Sequence, residues 1–79
     1  DIDIFYMGNN KELAISNPYL LPIQRVEIYN LLGQKIQQYI EISNQKEIRL
    51  PVLEYATGIY IVKLYTENLQ VSKNIMLNK

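Results

Sequence analysis

The sequence predicts an all-β fold, a β-sandwich of about seven short antiparallel strands. Three observations predict it. Apolar residues alternate with polar ones in short runs, the period of two that marks a strand with one dry face. Turn-forming residues separate those runs at spacings of roughly ten residues, as in a sandwich. Tyrosine is enriched, with seven Tyr against one Phe and no Trp in 79 residues. Tyrosine favours strands in which the ring is half buried and the hydroxyl reaches water.

Each element follows from its residues. Asp1-Ile2-Asp3-Ile4-Phe5-Tyr6 alternates acid and isoleucine and reads as a strand with one wet face. Gly8-Asn9-Asn10 tolerates positive φ and supplies the next turn. Leu13-Ala14-Ile15 is a short second strand that Ser16-Asn17-Pro18 breaks. The loop closed by Pro22 holds Tyr19, Leu20 and Leu21. Apolar loop residues of this kind usually plug one end of a sandwich and less often form an exposed contact patch. From residue 23 to 30, Val26 and Ile28 point one way, Glu27 and Tyr29 the other. Leu31-Leu32-Gly33-Gln34 turns the chain, with Gly33 at positive φ. Residues 35–42 return with Ile36, Gln38, Ile40 and Ile42 on one face and Gln37, Tyr39 and Glu41 on the other. Ser43-Asn44-Gln45 turns again. Ile48 and Leu50 then form a strand that Pro51 stops, because proline supplies no ladder donor.

Residues 52–57 carry no helical period and read as a crossover that delivers the chain to the other sheet at Gly58. The run Ile59-Tyr60-Ile61-Val62-Lys63-Leu64-Tyr65 is apolar on both faces, interrupted only by Lys63. It fits a central strand buried on both sides, or one whose outer face a neighbour covers, with Tyr60, Val62 and Leu64 facing inward. Thr66-Glu67-Asn68 is a tight hairpin, with Asn68 best suited to a left-handed conformation. Residues 69–77 close the domain, with Val71, Ile75 and Leu77 on one face and Lys73 interrupting it.

Composition bounds the function. A chain this short makes one domain and buries roughly 60% of its unfolded surface, so the core is small. Eight basic and eight acidic side chains cancel and intersperse. No basic stripe offers phosphate contacts, and no nucleic-acid partner is expected. Cysteine is absent, so neither a disulfide framework nor thiolate chemistry is available. No apolar run approaches the roughly 20 residues of a transmembrane helix, and no basic start followed by an apolar core marks the N-terminus. Opening on Asp1 rather than Met, the chain reads as an excerpt of a longer precursor.

Chemistry is sparse. Histidine is absent as well, which removes the commonest general base and most transition-metal sites. Asp1 and Asp3 share a strand face and are a possible calcium or acid/base pair, though a solvated face near a terminus explains them more simply. Ser16, Ser43 and Ser72 have no base to activate them. Lys35, Lys63 and Lys73 lie in strands and keep their charged heads in water. Three isolated glycines do not make a phosphate loop. The residues therefore describe a non-enzyme with no cofactor. Tyr29, Tyr39 and Tyr65 line a face that stacks sugars or, more simply, serve as strand-stabilising residues.

Two blocks combine into a resemblance. Val26-Glu27-Ile28-Tyr29-Asn30 with Gly33-Gln34-Lys35 is similar to the V-x-I-Y-(D/N)-x-x-G-(K/Q) hairpin of type IX secretion system C-terminal sorting domains. Leu50, Leu53 and Gly58-Ile59-Tyr60-Ile61-Val62-Lys63 resemble the L-x-x-L-x-x-G-x-Y-x-V-K segment of that family. Lys73-Asn74-Ile75-Met76-Leu77-Asn78-Lys79 resembles its closing basic and aliphatic strand. Where members carry Pro-Asn-Pro, Met7-Gly8-Asn9 stands instead, and the nearest proline is Pro18.

The resemblance implies an immunoglobulin-like sandwich, residues 1–79 forming one C-terminal sorting domain of a Bacteroidetes-type secreted protein. Its partners would be the outer-membrane secretion machinery, a sortase-like peptidase and an upstream cargo domain of the same chain. The cargo would pass through the periplasm and outer membrane to be secreted or held at the cell surface. Gly33, Lys35, Gly58, Tyr60 and Lys63 carry the motifs. The last strand is the expected recognition element, through Lys73, Ile75, Leu77 and Lys79, because an edge strand can pair its backbone with a receptor. An alternative reading is a non-catalytic structural or carbohydrate-binding module appended to a secreted enzyme.

Overall fold

The computed structural model describes residues 2–40, 42, 44–52 and 54–78. Among them are seven strands: β1 (Asp3–Met7), β2 (Glu12–Ser16), β3 (Ile23–Tyr29), β4 (Lys35–Tyr39), β5 (Glu47–Pro51), β6 (Gly58–Thr66) and β7 (Gln70–Leu77). All pairings are antiparallel, in a three-stranded sheet of order β1-β2-β5 and a four-stranded sheet of order β4-β3-β6-β7. No helix occurs among the described residues. The all-β sandwich stands.

Alternation builds the core. Ile4, Leu13, Ile15, Ile48 and Leu50 from one sheet meet Val26, Ile28, Tyr60, Val62, Leu64, Ile75 and Leu77 from the other in a single buried cluster. The chain does change sheets between β5 and β6, as expected. Val52 is buried there and donates its N–H to the Lys11 carbonyl at 3.1 Å. Leu53 of the motif lies outside the described residues.

Several expectations change. β6 is interior to its sheet but buried on one face only: Tyr60, Val62 and Leu64 are buried, whereas Ile59 is 45% exposed. Among the described residues no strand packs on its outer face, where Ile61, Lys63 and Tyr65 are half-buried, so the apolar alternation reflects a half-open sheet. β4 ends at Tyr39, and its inner face is not the isoleucine face. The register sets Tyr39 opposite Val26 and Gln37 opposite Ile28, which leaves Ile36 and Ile40 exposed while Ile42 still packs on the core. Tyr19 and Leu20 are exposed rather than plugging the sandwich. The residue that seals this end is Asn17, fully buried, whose side chain donates to the Leu21 carbonyl at 2.9 Å and accepts from the Leu21 N–H at 3.0 Å.

Turn chemistry is also redistributed. Gly33 has the expected positive φ, 85°. In the first turn the left-handed residue is Lys11 (φ 54°), not the Gly8-Asn9-Asn10 run, and Leu20 is the other such non-glycine among the described residues. Asn68 is not left-handed. Thr66 closes that hairpin instead, its Oγ1 accepting from the N–H groups of Asn68 and Leu69 at 3.3 and 2.9 Å. Gly58 is the first residue of β6, paired with Leu77, rather than part of a turn.

Candidate functional site

The motif residues fall into two groups on the four-stranded sheet. The first surrounds Glu27 on the outer face. Arg25 and Tyr29 lie two positions to either side of it on β3, and Lys35 reaches it from β4. Tyr29 donates its hydroxyl to Oε1 at 2.7 Å, while Arg25 and Lys35 each approach Oε2 at 3.1 Å. Glu27 is only 5% exposed although it faces outward. The Tyr29 hydroxyl, then Lys35 and Arg25, hold its carboxyl down at about 2 against the opposing effect of burial. The same bond pushes the Tyr29 phenol up. Lys63, the register partner of Glu27, sits over the Tyr29 ring at 4.8 Å, and Arg25 over Tyr65 at 3.8 Å.

Asn30 and Gly33 place Lys35. Asn30 Oδ1 accepts from the N–H groups of Leu32 and Gln34, both at 3.0 Å, and the Gly33 N–H donates to the Asn30 carbonyl at 3.0 Å. No atom crowds a Cβ built on Gly33. Its backbone conformation alone selects glycine.

The second group is the C-terminal edge. β7 pairs with β6 on one side and, among the described residues, has no ladder partner on the other. Gly58 faces Leu77, Tyr60 faces Ile75, and Val62 faces Lys73. Ile75 and Leu77 are buried in the core, so the outward side chains of β7 are Gln70, Ser72, Asn74 and Met76. Tyr60 is buried with its hydroxyl donating to the Ala56 carbonyl at 2.7 Å. Lys73 points inward, where its ammonium crosses to the other sheet: it donates to the Ile4 carbonyl at 2.6 Å and meets Asp3 Oδ1 at 3.0 Å. Lys73, then the Ile4 N–H, lower the Asp3 carboxyl below its ordinary value. Lys79 lies outside the described residues, as does Asp1.

Lys35, Lys63 and Lys73 all have partners, while the Lys35 and Lys73 side chains stay 45% and 44% exposed. Gly33, Lys35 and Lys63 belong together around Glu27; Gly58, Tyr60, Ile75 and Leu77 belong together at the β6–β7 seam. Reasoning from the sequence missed Glu27, Asn17 and Asn30. The available signal was an Asn before each turn and an acid flanked at two-residue spacing by Arg and Tyr.

The tyrosine trio does not share a face. Tyr29 and Tyr65 lie outside, whereas Tyr39 lies on the inner side at the opposite edge, donating to the Pro51 carbonyl at 2.9 Å and meeting the Tyr55 hydroxyl at 3.3 Å. A cleft of about 310 Å³ opens there, lined by Gln37, Tyr39, Pro51, Val52, Glu54 and Tyr55. Burial, then the Tyr39 hydroxyl, push the Tyr55 phenol up. With both hydroxyls committed to one another and to the backbone, this is a seam between sheets. Among the described residues, no group of three or more potential ligands can hold a metal ion, and no helix is long and apolar enough to cross a membrane.

Comparison with known proteins places this geometry. The family model described as the secretion system C-terminal sorting domain matches residues 8–78, a span that begins directly after β1 and contains β2 to β7. No curated protein matches the chain. The match supports neither a structural nor a carbohydrate-binding module. The matched span takes in both groups of residues on the four-stranded sheet: the chain belongs to the secretion system C-terminal sorting domains, which act as sorting signals for type IX secretion.

Proposed function

We propose that the signal in this domain is read along β7. The observation that carries the reading is that β7, the last strand, lies at a sheet edge with one side unpaired in the ladder. Such an edge offers backbone N–H and C=O groups to an incoming strand, and alternate side chains give specificity. Outward Ser72, Asn74 and Met76 supply that specificity. Ile75 and Leu77 anchor the strand in the core, and Lys73 and Lys79 serve as charged markers of the segment. The strand order supports an immunoglobulin-like assignment, since such sandwiches set their first, second and fifth strands against the third, sixth and seventh.

In this reading residues 1–79 are one C-terminal domain, and a larger cargo of the same chain precedes it. Outer-membrane machinery of a Bacteroidetes-type cell reads the domain. A sortase-like peptidase removes it as the cargo is released or anchored at the surface. The domain performs no chemistry itself, in keeping with a family of signals rather than catalysts. The test is a reporter fused ahead of the domain in a host that carries this machinery. Deleting residues 70–79 should abolish export, and export at the level of the intact fusion would overturn the reading.

A further inference from the structure

β7 has a second neighbour that is not in its sheet. Midway along the strand, Lys73 passes its ammonium to the Ile4 carbonyl and the Asp3 carboxylate of β1. Just beyond its C-terminal end, Tyr6 of β1 donates its hydroxyl to the Asn78 carbonyl at 3.0 Å, and Lys11 reaches the same oxygen at 3.4 Å. Ile4, whose carbonyl is one of the tie points, has its side chain fully buried in the shared core. The first strand therefore ties the last at its middle and just beyond its C-terminal end, from the opposite sheet.

The ties join what the family model covers to what it does not. Matching begins at residue 8, so β1 lies outside the matched span, while Lys11, Lys73 and Asn78 lie within it. The ties use a backbone carbonyl at each point, so they depend on where the strands sit. Only Asp3, Tyr6, Lys11 and Lys73 supply side chains to them.

We infer that β1 is a strap over the signal strand, and that its docking sets how readily the export machinery takes up β7. This rests on the proposal that β7 is what the machinery reads. With β1 docked, β7 is held by the β6 ladder and by the strap from the opposite sheet. With β1 lifted, only the ladder remains, and β7 can shift to meet an incoming strand. Because the cargo precedes β1 in that proposal, the state of the cargo boundary bears directly on the opposite end of the domain.

The test uses a folded reporter followed by the whole domain, comparing the wild type with Asp3→Asn/Tyr6→Phe. Both substitutions lie on β1, keep side-chain volume and leave β7 untouched. Amide hydrogen exchange across residues 70–78 should rise about threefold to tenfold, the effect of losing one or two hydrogen bonds locally, with residues 23–29 unchanged. Export of the reporter should quicken in the same variant. Unchanged exchange in residues 70–78, or an equal rise in every strand, would overturn the strap. Faster exchange confined to residues 70–78 with export unaltered would overturn its control over uptake. Deleting residues 70–79 separates the two ideas. If that deletion leaves export intact, the reading of β7 fails, while the exchange result still decides whether β1 straps it.

Discussion

Glu27 is the residue whose behaviour departs most from its type. A carboxylate on the outer face of a sheet normally faces water. Here Tyr29, Arg25 and Lys35 cover it and satisfy it. Its pKa lies at about 2 in the fold, against an ordinary value of 4.5. A depressed carboxylate pKa contributes stability that is fully present above the ordinary value and is lost as pH falls towards the folded one. Glu27→Gln should therefore cost about 2 kcal/mol at neutral pH. The gap to wild type should shrink between pH 4.5 and about 2, as urea unfolding at a series of pH values would reveal. Inward residues such as Val26, Ile28, Val62 and Leu64 were legible because hydrophobic alternation maps directly onto burial. Glu27 was not. Its burial comes from neighbours on β3 and from β4, and alternation carries no information about what covers a polar face. Tyrosine was read as a half-buried ring with a wet hydroxyl. The hydroxyls of Tyr6, Tyr39 and Tyr60 instead donate to backbone carbonyls.

At the level of elements, the β3–β4 hairpin carries the clearest local code. Gly33 supplies positive φ, and Asn30 gathers the two N–H groups that follow it. Gly33→Ala should cost about 1 kcal/mol through backbone strain alone, since no atom lies close to the new methyl. Thermal unfolding of that variant beside Gly33→Asn, which tolerates the conformation better, checks the cause: the asparagine variant should recover part of the loss. This turn was legible because a single conformational demand selects glycine. The facing of β4 was not, because an edge strand is only partly covered and its exposed isoleucines imitate a core stripe. A register shift beside Tyr29 leaves Ile36 outside the Cα pairing altogether. Likewise Asn68 was the natural left-handed candidate, but the Thr66 hydroxyl supplies the acceptor that makes such a residue unnecessary.

For the whole molecule, two small sheets share one cluster of apolar side chains, and a chain of this length has little stability in reserve. Leu64→Ala, at a fully buried site on β6, should cost about 3 kcal/mol and lower the urea midpoint sharply, whereas Leu32→Ala, in an exposed loop, should barely move it. The seven strands and the crossing after Pro51 were legible from alternation and turn residues. Which strand would stand at each edge was not, because pairing between distant strands leaves no local mark. The tie between Tyr6 and Asn78 spans 72 positions. Closing so long a loop is costly before its contacts reward it, which slows folds of this kind. A chain is synthesised from its N-terminus, so β1 is made first and waits for the strand that completes its contacts. Until that strand arrives, residues 2–7 have only β2 to pair with. The sorting domain thus cannot finish folding piecemeal: its first strand becomes native in the same event that sets its last strand in place.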